Sequence, residues 1–329
     1  MDSNHYLTGG QAKMAGKIVL LGEPMGLFIA NEPGPLSEVN SFTAAVAGAE
    51  YNVAVGLSRM GHCAAYCTKL GVDPLGDKIV AAMEKNEIST ELVLREEDKL
   101  TGFMMKNKVE NGDPDIYYYR KNSAASSISA MDVNHLDLSD CEWLHVTGIM
   151  PAISDSALSA VKRLIERAEA LEMTISFDPN LRPQLWASEK KMITTLNELA
   201  SHANLILPGI KEGALLTGEE TAEGIARYYH QMGVRYVVVK LGKDGAYYSE
   251  DQGDSGYSQG FPVAKRIDTV GAGDGFAAGV ISALVEGLNL QEAAFRGNVF
   301  GAIQISHKSD NEGLPTREQL QAVIEKGTA

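Results

Sequence analysis

The consecutive stretches WLHVTG (143–148), SDSALSAVKRLIERAEALE (154–172) and MTISFD (173–178) read as strand, helix, strand, and they decide the class of fold. Both outer runs are short and mostly apolar, as strands covered on two faces are. Between them, apolar residues recur at helical spacing with charged residues opposite, which predicts an amphipathic helix lying on a sheet. The pattern repeats outward. KIVLLG (17–22), HCAAYCTKLG (62–71), ANLILP (203–208) and RYVVVKLG (235–242) are further candidate strands, and ASEKKMITTLNELASH (187–202) is another helix. This alternation predicts an α/β chain built on a doubly wound, mostly parallel sheet flanked by helices.

Two stretches interrupt the alternation. Residues 25–47 and 101–129 hold short strand-like pieces around the turn clusters NEPGP (31–35) and ENGDP (110–114). They are expected to form a small β-sheet lid over the carboxyl ends of the core strands, where open α/β sheets bind ligands. Two plain surface hairpins are the alternative. The expected division is a core of 17–24, 48–100 and 130–325, a lid of 25–47 and 101–129, and a flexible leader of 1–16.

Composition bounds the partners. A net charge of -14, from 29 basic and 43 acidic residues among 329, disfavours nucleic acid and anionic membranes, so an anionic ligand needs locally clustered cations. Three cysteines, Cys63, Cys67 and Cys141, are too few for a disulfide framework, and no apolar run approaches the ~18 residues of a membrane span. A cytoplasmic location is expected. Cys63 and Cys67 read as buried structural thiols rather than metal ligands.

The chemistry concentrates in DTVGAGDGFAAGVISALVEG (268–287). Gly271, Gly273 and Gly275 let a backbone approach a ligand closely, and free N–H groups at the start of the following helix attract an anion such as phosphate. The helix is apolar nearly all round, so its N-terminus is a rigid platform. Asp274, among those N–H groups, is placed to accept a proton from a hydroxyl that attacks a phosphoryl group. A mere helix cap accounts for one glycine, not three. Gly273, Gly275 and Ala278 also fit a loose dinucleotide fingerprint, but that loop should follow a hydrophobic strand inside a βαβ unit. GVDPLGDKI (71–79) has the glycine spacing of a P-loop with Asp77 where lysine belongs and Ile79 in place of Ser or Thr, so a Walker site is not expected.

Three further stretches offer binding groups. VVVKLGKDGAYY (237–248) ends a strand at Lys240 and turns through Lys243 and Gly245, suited to ribose or phosphate, or else a plain hairpin. In YYYRKNSAAS (117–126), strand alternation puts Tyr118 and Arg120 on one face and Tyr117 and Tyr119 on the other, and rings beside a cation suit a small polar acid. FDPNLRPQLW (177–186) brings Arg182 to the carboxyl end of a strand, where a guanidinium forms paired bonds to carboxylate or phosphate.

DTVGAGDGF resembles the C-terminal signature of the PfkB family of ribokinase-like sugar kinases, and AGAEYNVAVGLSRMG (47–61) resembles the N-terminal one. The resemblance runs from Lys17 to about Pro315. It implies ATP and Mg2+, with room for a monovalent cation, Asp274 as catalytic base, and Gly271, Ala272 and Gly273 as the anion hole. It also implies that Asn180, Arg182, Lys240, Gly242, Lys243 and Gly245 join the anion hole in bordering ATP. Within the family, GEPM (22–25), GAEYN, YYYRKNSAAS, FDPNLRPQLW and SDNEGLP (309–315) are most similar to kinases of the sugar acid 2-keto-3-deoxygluconate. That similarity implies sugar-acid contacts from Gly48, Ala49, Glu50, Tyr51 and Asn52, and from Met104, Tyr118, Tyr119 and Arg120. Arg182 would lie between acid and phosphate, and Asp310 would close the substrate side. One departure stands out: where the family carries N-x-x-E near magnesium, PGIKE (208–212) has Gly209 at the asparagine position and keeps Glu212, expected to reach the metal through water. A kinase of ribose, fructose or 5-dehydro-2-deoxygluconate, or a non-catalytic sugar-binding regulator, are the alternative readings. Unpaired lid edges predict a homo-oligomer.

Overall fold

Strands β1 (Lys17–Leu21), β4 (Ala64–Gly71), β5 (Val93–Glu96), β8 (Cys141–Thr147), β9 (Thr174–Asp178), β10 (Leu205–Ile206), β11 (Tyr236–Lys240), β12 (Gly245–Glu250) and β13 (Ser255–Gln259) form one sheet. Strands β2 (Met25–Pro33), β3 (Phe42–Ala47), β6 (Phe103–Lys108) and β7 (Ile116–Tyr119) form a second. These come from a computed structural model that describes residues 16–109, 114–308 and 310–329. The large sheet runs β13-β12-β11-β10-β9-β8-β1-β4-β5, parallel from β11 to β5 with β12 and β13 added antiparallel. The small sheet runs β3-β2-β6-β7, with β2 and β6 parallel and the outer pairs antiparallel.

The strand β1 explains why the large sheet is covered twice. Val19 and Leu21 pack with Leu144, Val146 and Phe177 on one face, whereas Ile18 and Leu20 pack with Tyr66 and Phe276 on the other. Helices Asp155–Ala170, Glu189–Ala200 and Ala222–Gln231 cover the first face, and Ala49–Arg59, Ala272–Val285 and Leu290–Ile305 the second. Each fully buried leucine or phenylalanine contributes about 1.5 to 3 kcal/mol of transfer free energy. The helix quoted at the outset forms as its pattern predicts. Ser154 caps it by accepting from the Ala157 N–H, and Ala157, Ala160, Val161, Leu164, Ile165 and Ala168 make its buried stripe.

Several details differ from the sequence reading. ANLILP yields only the two-residue β10, flanked by irregular chain in which Ala203 and Leu207 are still buried. The second interrupting stretch leaves the small sheet after Tyr119 and enters a short turn of helix at Ala125–Ser127 and the helix Ala130–Asn134. Cys67 and Cys141 are buried, but Cys63 is exposed at the approach to β4, contrary to the expected buried thiol. Positions 110–113 of the ENGDP cluster, and 1–15 of the leader, lie outside the described residues. GVDPLGDKI is a helix start: Asp73 accepts from the Leu75 and Gly76 N–H groups, and Asp77 pairs with Arg95 at 2.7 Å. Among the described residues, no helix is long and apolar enough to cross a membrane.

Candidate active site

The carboxyl ends of β1, β8, β9 and β11 all reach one region, and the small sheet rises from it through the Gly22–Pro24 link between β1 and β2. A cavity of about 460 Å³ lies there, with walls from both sheets. Met25, Met104, Ile116 and Tyr118 line it from the small sheet, Lys240 from the end of β11, and Asn180 and Arg182 from the loop after β9. The N-terminus of Ala272–Val285 closes the floor through Gly271, Gly273 and Asp274.

The three glycines of this turn have different reasons. Gly271 adopts φ +78, and a Cβ there would stand 2.1 Å from the Asp310 carbonyl oxygen, so both conformation and space require glycine. Gly273 faces open space, with the Lys240 Nζ 3.8 Å from the position of a Cβ, which leaves backbone accessible from the cavity. Gly275 is buried against Leu314 and Phe300 and serves packing. No strand precedes the turn between Gln259 and Gly271, and helices follow it, so the dinucleotide alternative lacks its βαβ unit.

Asp274 sits half-buried on the cavity floor. Asn52 Nδ2 donates to its Oδ2 at 2.7 Å, and Asn180 Nδ2 approaches Oδ1 at 3.4 Å. Burial pushes its carboxyl up to about 7, against the Asn52 hydrogen bond and the nearby Arg182 and Lys240 charges, and with Asp178 adding to the rise. A base near neutrality is suited to take a proton from an alcohol and release it again.

The cations around the cavity are unequally engaged. Lys240 pairs with Asp178 at 2.7 Å, and the Asp178 and Glu212 charges outweigh burial to hold its ammonium above the usual lysine range. Arg120 Nε donates to the Glu23 carboxylate at 2.7 Å, and Glu23 is itself buried and accepts from Ser123. Arg182 Nη1 donates to the Leu181 carbonyl at 2.8 Å, and among the described residues it is the lining cation without a carboxylate partner. It is therefore the most available receptor for an incoming anion.

The cavity gathers most, but not all, of the residues read from sequence. Gly48, Ala49, Asn52, Met104, Tyr118, Arg120, Asn180, Arg182, Glu212, Lys240 and Asp310 line it with Gly271, Gly273 and Asp274, whereas Ala272 does not. Tyr118 lies directly across from Met104 in the β6–β7 pair, on the same face as Ile116 and Arg120. Tyr119 does not line the cavity. Alternation turns it to the outer face, where it stacks on Phe103 with ring centroids 4.6 Å apart. Glu50 and Tyr51 point into the core behind Asn52: Glu50 accepts from Thr147 Oγ1, and the Tyr51 ring packs edge-on against Tyr66. Burial pushes the Glu50 carboxyl up to about 7 as well. The Ala272 N–H points to the Thr269 carbonyl at 3.4 Å, so this member of the expected anion hole is partly engaged.

Gly242 and Lys243 form an exposed turn between β11 and β12, and Gly245, at φ +102, pairs with Gln259 at the edge. None of the three lines the cavity. Glu212 caps its own helix through the Gly209 N–H at 2.7 Å and accepts from the Leu181 N–H at 2.8 Å, holding the Asn180–Arg182 loop against that helix. Asp310 is buried, and Lys106 bridges it to Asp268 at 3.5 and 2.8 Å. Lys106, Asp268, Asp178 and Glu23 were not singled out in the sequence. The signal was present for Glu23 and Asp178, which are acids at the carboxyl ends of buried strands, but nothing local marked the long-range Lys106 pair.

Residues 15–317 match the model of the pfkB family of carbohydrate kinases. The chain is 45% identical over 307 residues to a 2-dehydro-3-deoxygluconokinase of Bacillus subtilis, covering 93% of this chain and 94% of that protein. A 2-dehydro-3-deoxygluconokinase of Thermoproteus tenax is 29% identical, with 93% and 94% covered. Among solved structures, a PfkB protein from Polaromonas sp. JS666 superposes with a TM-score of 0.86 at 44% identity, covering 94% of this chain and all of that one. A family match of this extent, on a fold with the two expected sheets and a cavity that holds both signature motifs, leads to one conclusion: the chain belongs to the pfkB family of carbohydrate kinases.

Proposed function

We propose that the protein transfers the γ-phosphoryl group of ATP to the primary hydroxyl of 2-keto-3-deoxygluconate, giving its 6-phosphate. The observation that carries this reading is the Asp274 carboxylate, held by Asn52 at 2.7 Å on the cavity floor at the N-terminus of a buried helix. Its 45% identity to a 2-dehydro-3-deoxygluconokinase supports the choice of substrate. In the step, Asp274 accepts the hydroxyl proton as the substrate oxygen bonds to the γ-phosphorus. The bond from that phosphorus to the β–γ bridging oxygen breaks, and its electron pair leaves with ADP. Backbone N–H groups of the 271–273 turn and the Arg182 guanidinium steady the charge that spreads over the transferring oxygens.

The apolar wall of Met25, Met104, Ile116 and Ile149 suits the carbon chain of the acid, with Tyr118 and Arg120 at the polar end. Glu23 fixes the direction of the Arg120 fork while lowering its net charge, so the carboxylate of the substrate shares its recognition with neighbouring donors. The small sheet serves as the lid, and the exposed 242–244 turn borders the nucleotide.

Bound with ATP, Mg2+ would supply charge neutralisation at the transferring phosphoryl group. Among the described residues, no group of three or more His, Cys, Asp or Glu side chains is arranged to hold a metal. Glu212, on the cavity wall with both oxygens already accepting N–H bonds, retains lone pairs for a water-mediated contact. The three free thiols fit the reducing cytoplasm.

Asp274→Asn tests the reading. The expected outcome is a loss of kcat of about 10² to 10⁴, the usual worth of a general base, with ATP affinity retained by equilibrium titration. Turnover near wild type would remove Asp274 from the mechanism.

A further inference from the structure

The Asp274 carboxylate depends on the orientation of one amide, and the structure contains a chain of hydrogen bonds that fixes it. Asn311 Nδ2 donates to the main-chain carbonyl of Val46 at 3.2 Å and to Asn52 Oδ1 at 2.9 Å. A main-chain carbonyl only accepts, so Val46 requires the nitrogen, not the oxygen, of the Asn311 amide to face it. The second hydrogen of that nitrogen then requires the Asn52 oxygen. Asn52 is left with its nitrogen toward Asp274, where it donates to Oδ2 at 2.7 Å. A flipped Asn52 would instead press a carbonyl oxygen on the carboxylate.

The chain is anchored at both ends. Arg59 Nη1 donates to the main-chain carbonyls of Asn311, Glu312 and Leu314 at 3.1, 3.1 and 2.6 Å, and so holds the turn that carries Asn311. Arg59 and Asn52 lie seven residues apart on the helix Ala49–Arg59, two turns along the same face. Val46 lies near the end of β3, at the root of the small sheet. One amide thus joins the small sheet, the helix of the N-terminal signature and the 310–314 turn.

We infer that Asn311 is a positioning residue: it holds an N–H donor, rather than a carbonyl oxygen, against the Asp274 carboxylate, and ties that donor to the root of the small sheet. The inference rests on the reading of Asp274 as the base. Burial drives Asp274 toward its neutral form and the Asn52 donor opposes this, so releasing Asn52 makes the base harder to ionise. The other charged groups around Asp274 are Asp178 on β9, Arg182 on the loop after β9, Lys240 on β11 and Glu50 on the Asn52 helix. They are unchanged in the variants below, so a moved titration reports the amide.

The test is the pH profile of kcat/KM for Asn311→Ala, Asn52→Ala and the double variant, with thermal melting as a check on folding. Asn52→Ala should move the acid limb up by about one pH unit, the size of one hydrogen bond to a charged group. Asn311→Ala should move it up by about half that or more, and the double variant no further than Asn52→Ala alone. An acid limb that stays at the wild-type position in a folded Asn311→Ala protein, or shifts that add in the double variant, overturns the inference. Should Asn311→Ala fail to fold, Asn311→Ser, which keeps a single donor, decides on the same readout. Asp274→Asn separates the two levels. Normal turnover there defeats the base itself, whereas an inactive Asp274→Asn beside an unmoved Asn311→Ala profile defeats only the role of Asn311.

Discussion

At the residue scale, the site works by setting opposed influences against one carboxyl group. Burial raises Asp274 to about 7, and the Asn52 donor at 2.7 Å keeps it from rising further. A base must be ionised to act, so kcat/KM should climb with pH through an acid limb near 7 and level off above it. A limb below about pH 5 in a steady-state profile would show that burial does not govern Asp274. Asp274 was legible in the sequence because a rigid apolar helix and a glycine turn surround it in ten residues. Lys106 was not, because it acts through Asp268, 162 residues away, whereas Glu23 and Asp178 carried a signal as acids that end buried strands.

At the element scale, helix Ala272–Val285 must hold its N-terminus still while being buried almost throughout. Its far end is tied down by charge. Glu286 takes Arg296 of Leu290–Ile305 at 2.8 Å, Arg317 of the helix Arg317–Lys326 at 2.7 Å and His62 at 3.3 Å. Burial alone would raise its carboxyl, but the His62 bond and the two guanidinium groups outweigh that and hold it at about 2. The folded value is depressed, so this contribution is complete above the ordinary 4.5 and is lost as pH falls from there toward 2. Glu286→Gln should cost about 2 kcal/mol at pH 7, less than the full shift implies because Arg317 is half exposed to screening water. Urea unfolding checks this, and the gap between variant and wild type should narrow below pH 4.5. A gap independent of pH would place the cost in packing instead. Helical and strand periodicity made these elements legible, and alternation correctly separated Tyr118 from its neighbours. The inward turn of Glu50 and Tyr51 was hidden, because a motif names a position without stating which face of its helix meets the cavity.

At the scale of the whole molecule, two sheets make one cavity. The parallel order of the large sheet follows from the strand and helix alternation, and its ligand end follows from that order. The parallel pairing of β2 with β6, about seventy residues apart, has no local signature and became visible only in the fold. The small sheet leaves β3 and β7 as edges and shows Tyr117 and Tyr119 outward at 54% and 52% exposure. We propose that this sheet pairs between subunits, since unpaired edges and exposed rings favour a partner. Light scattering should give a multiple of the 35.3 kDa chain mass, and a monomer at micromolar concentration would count against it. The same walls carry the central claim, that Tyr118 and Arg120 select a sugar acid for phosphorylation. The most direct test compares kcat/KM for 2-keto-3-deoxygluconate, fructose, ribose and 5-dehydro-2-deoxygluconate by ADP release, with the phosphorylated carbon located by NMR. The account predicts a preference of about a hundredfold or more for 2-keto-3-deoxygluconate over fructose and ribose, and phosphate on its C6 oxygen, because a polar site rejects ligands that leave its groups unpaired. Equal rates on the neutral ketose would contradict it.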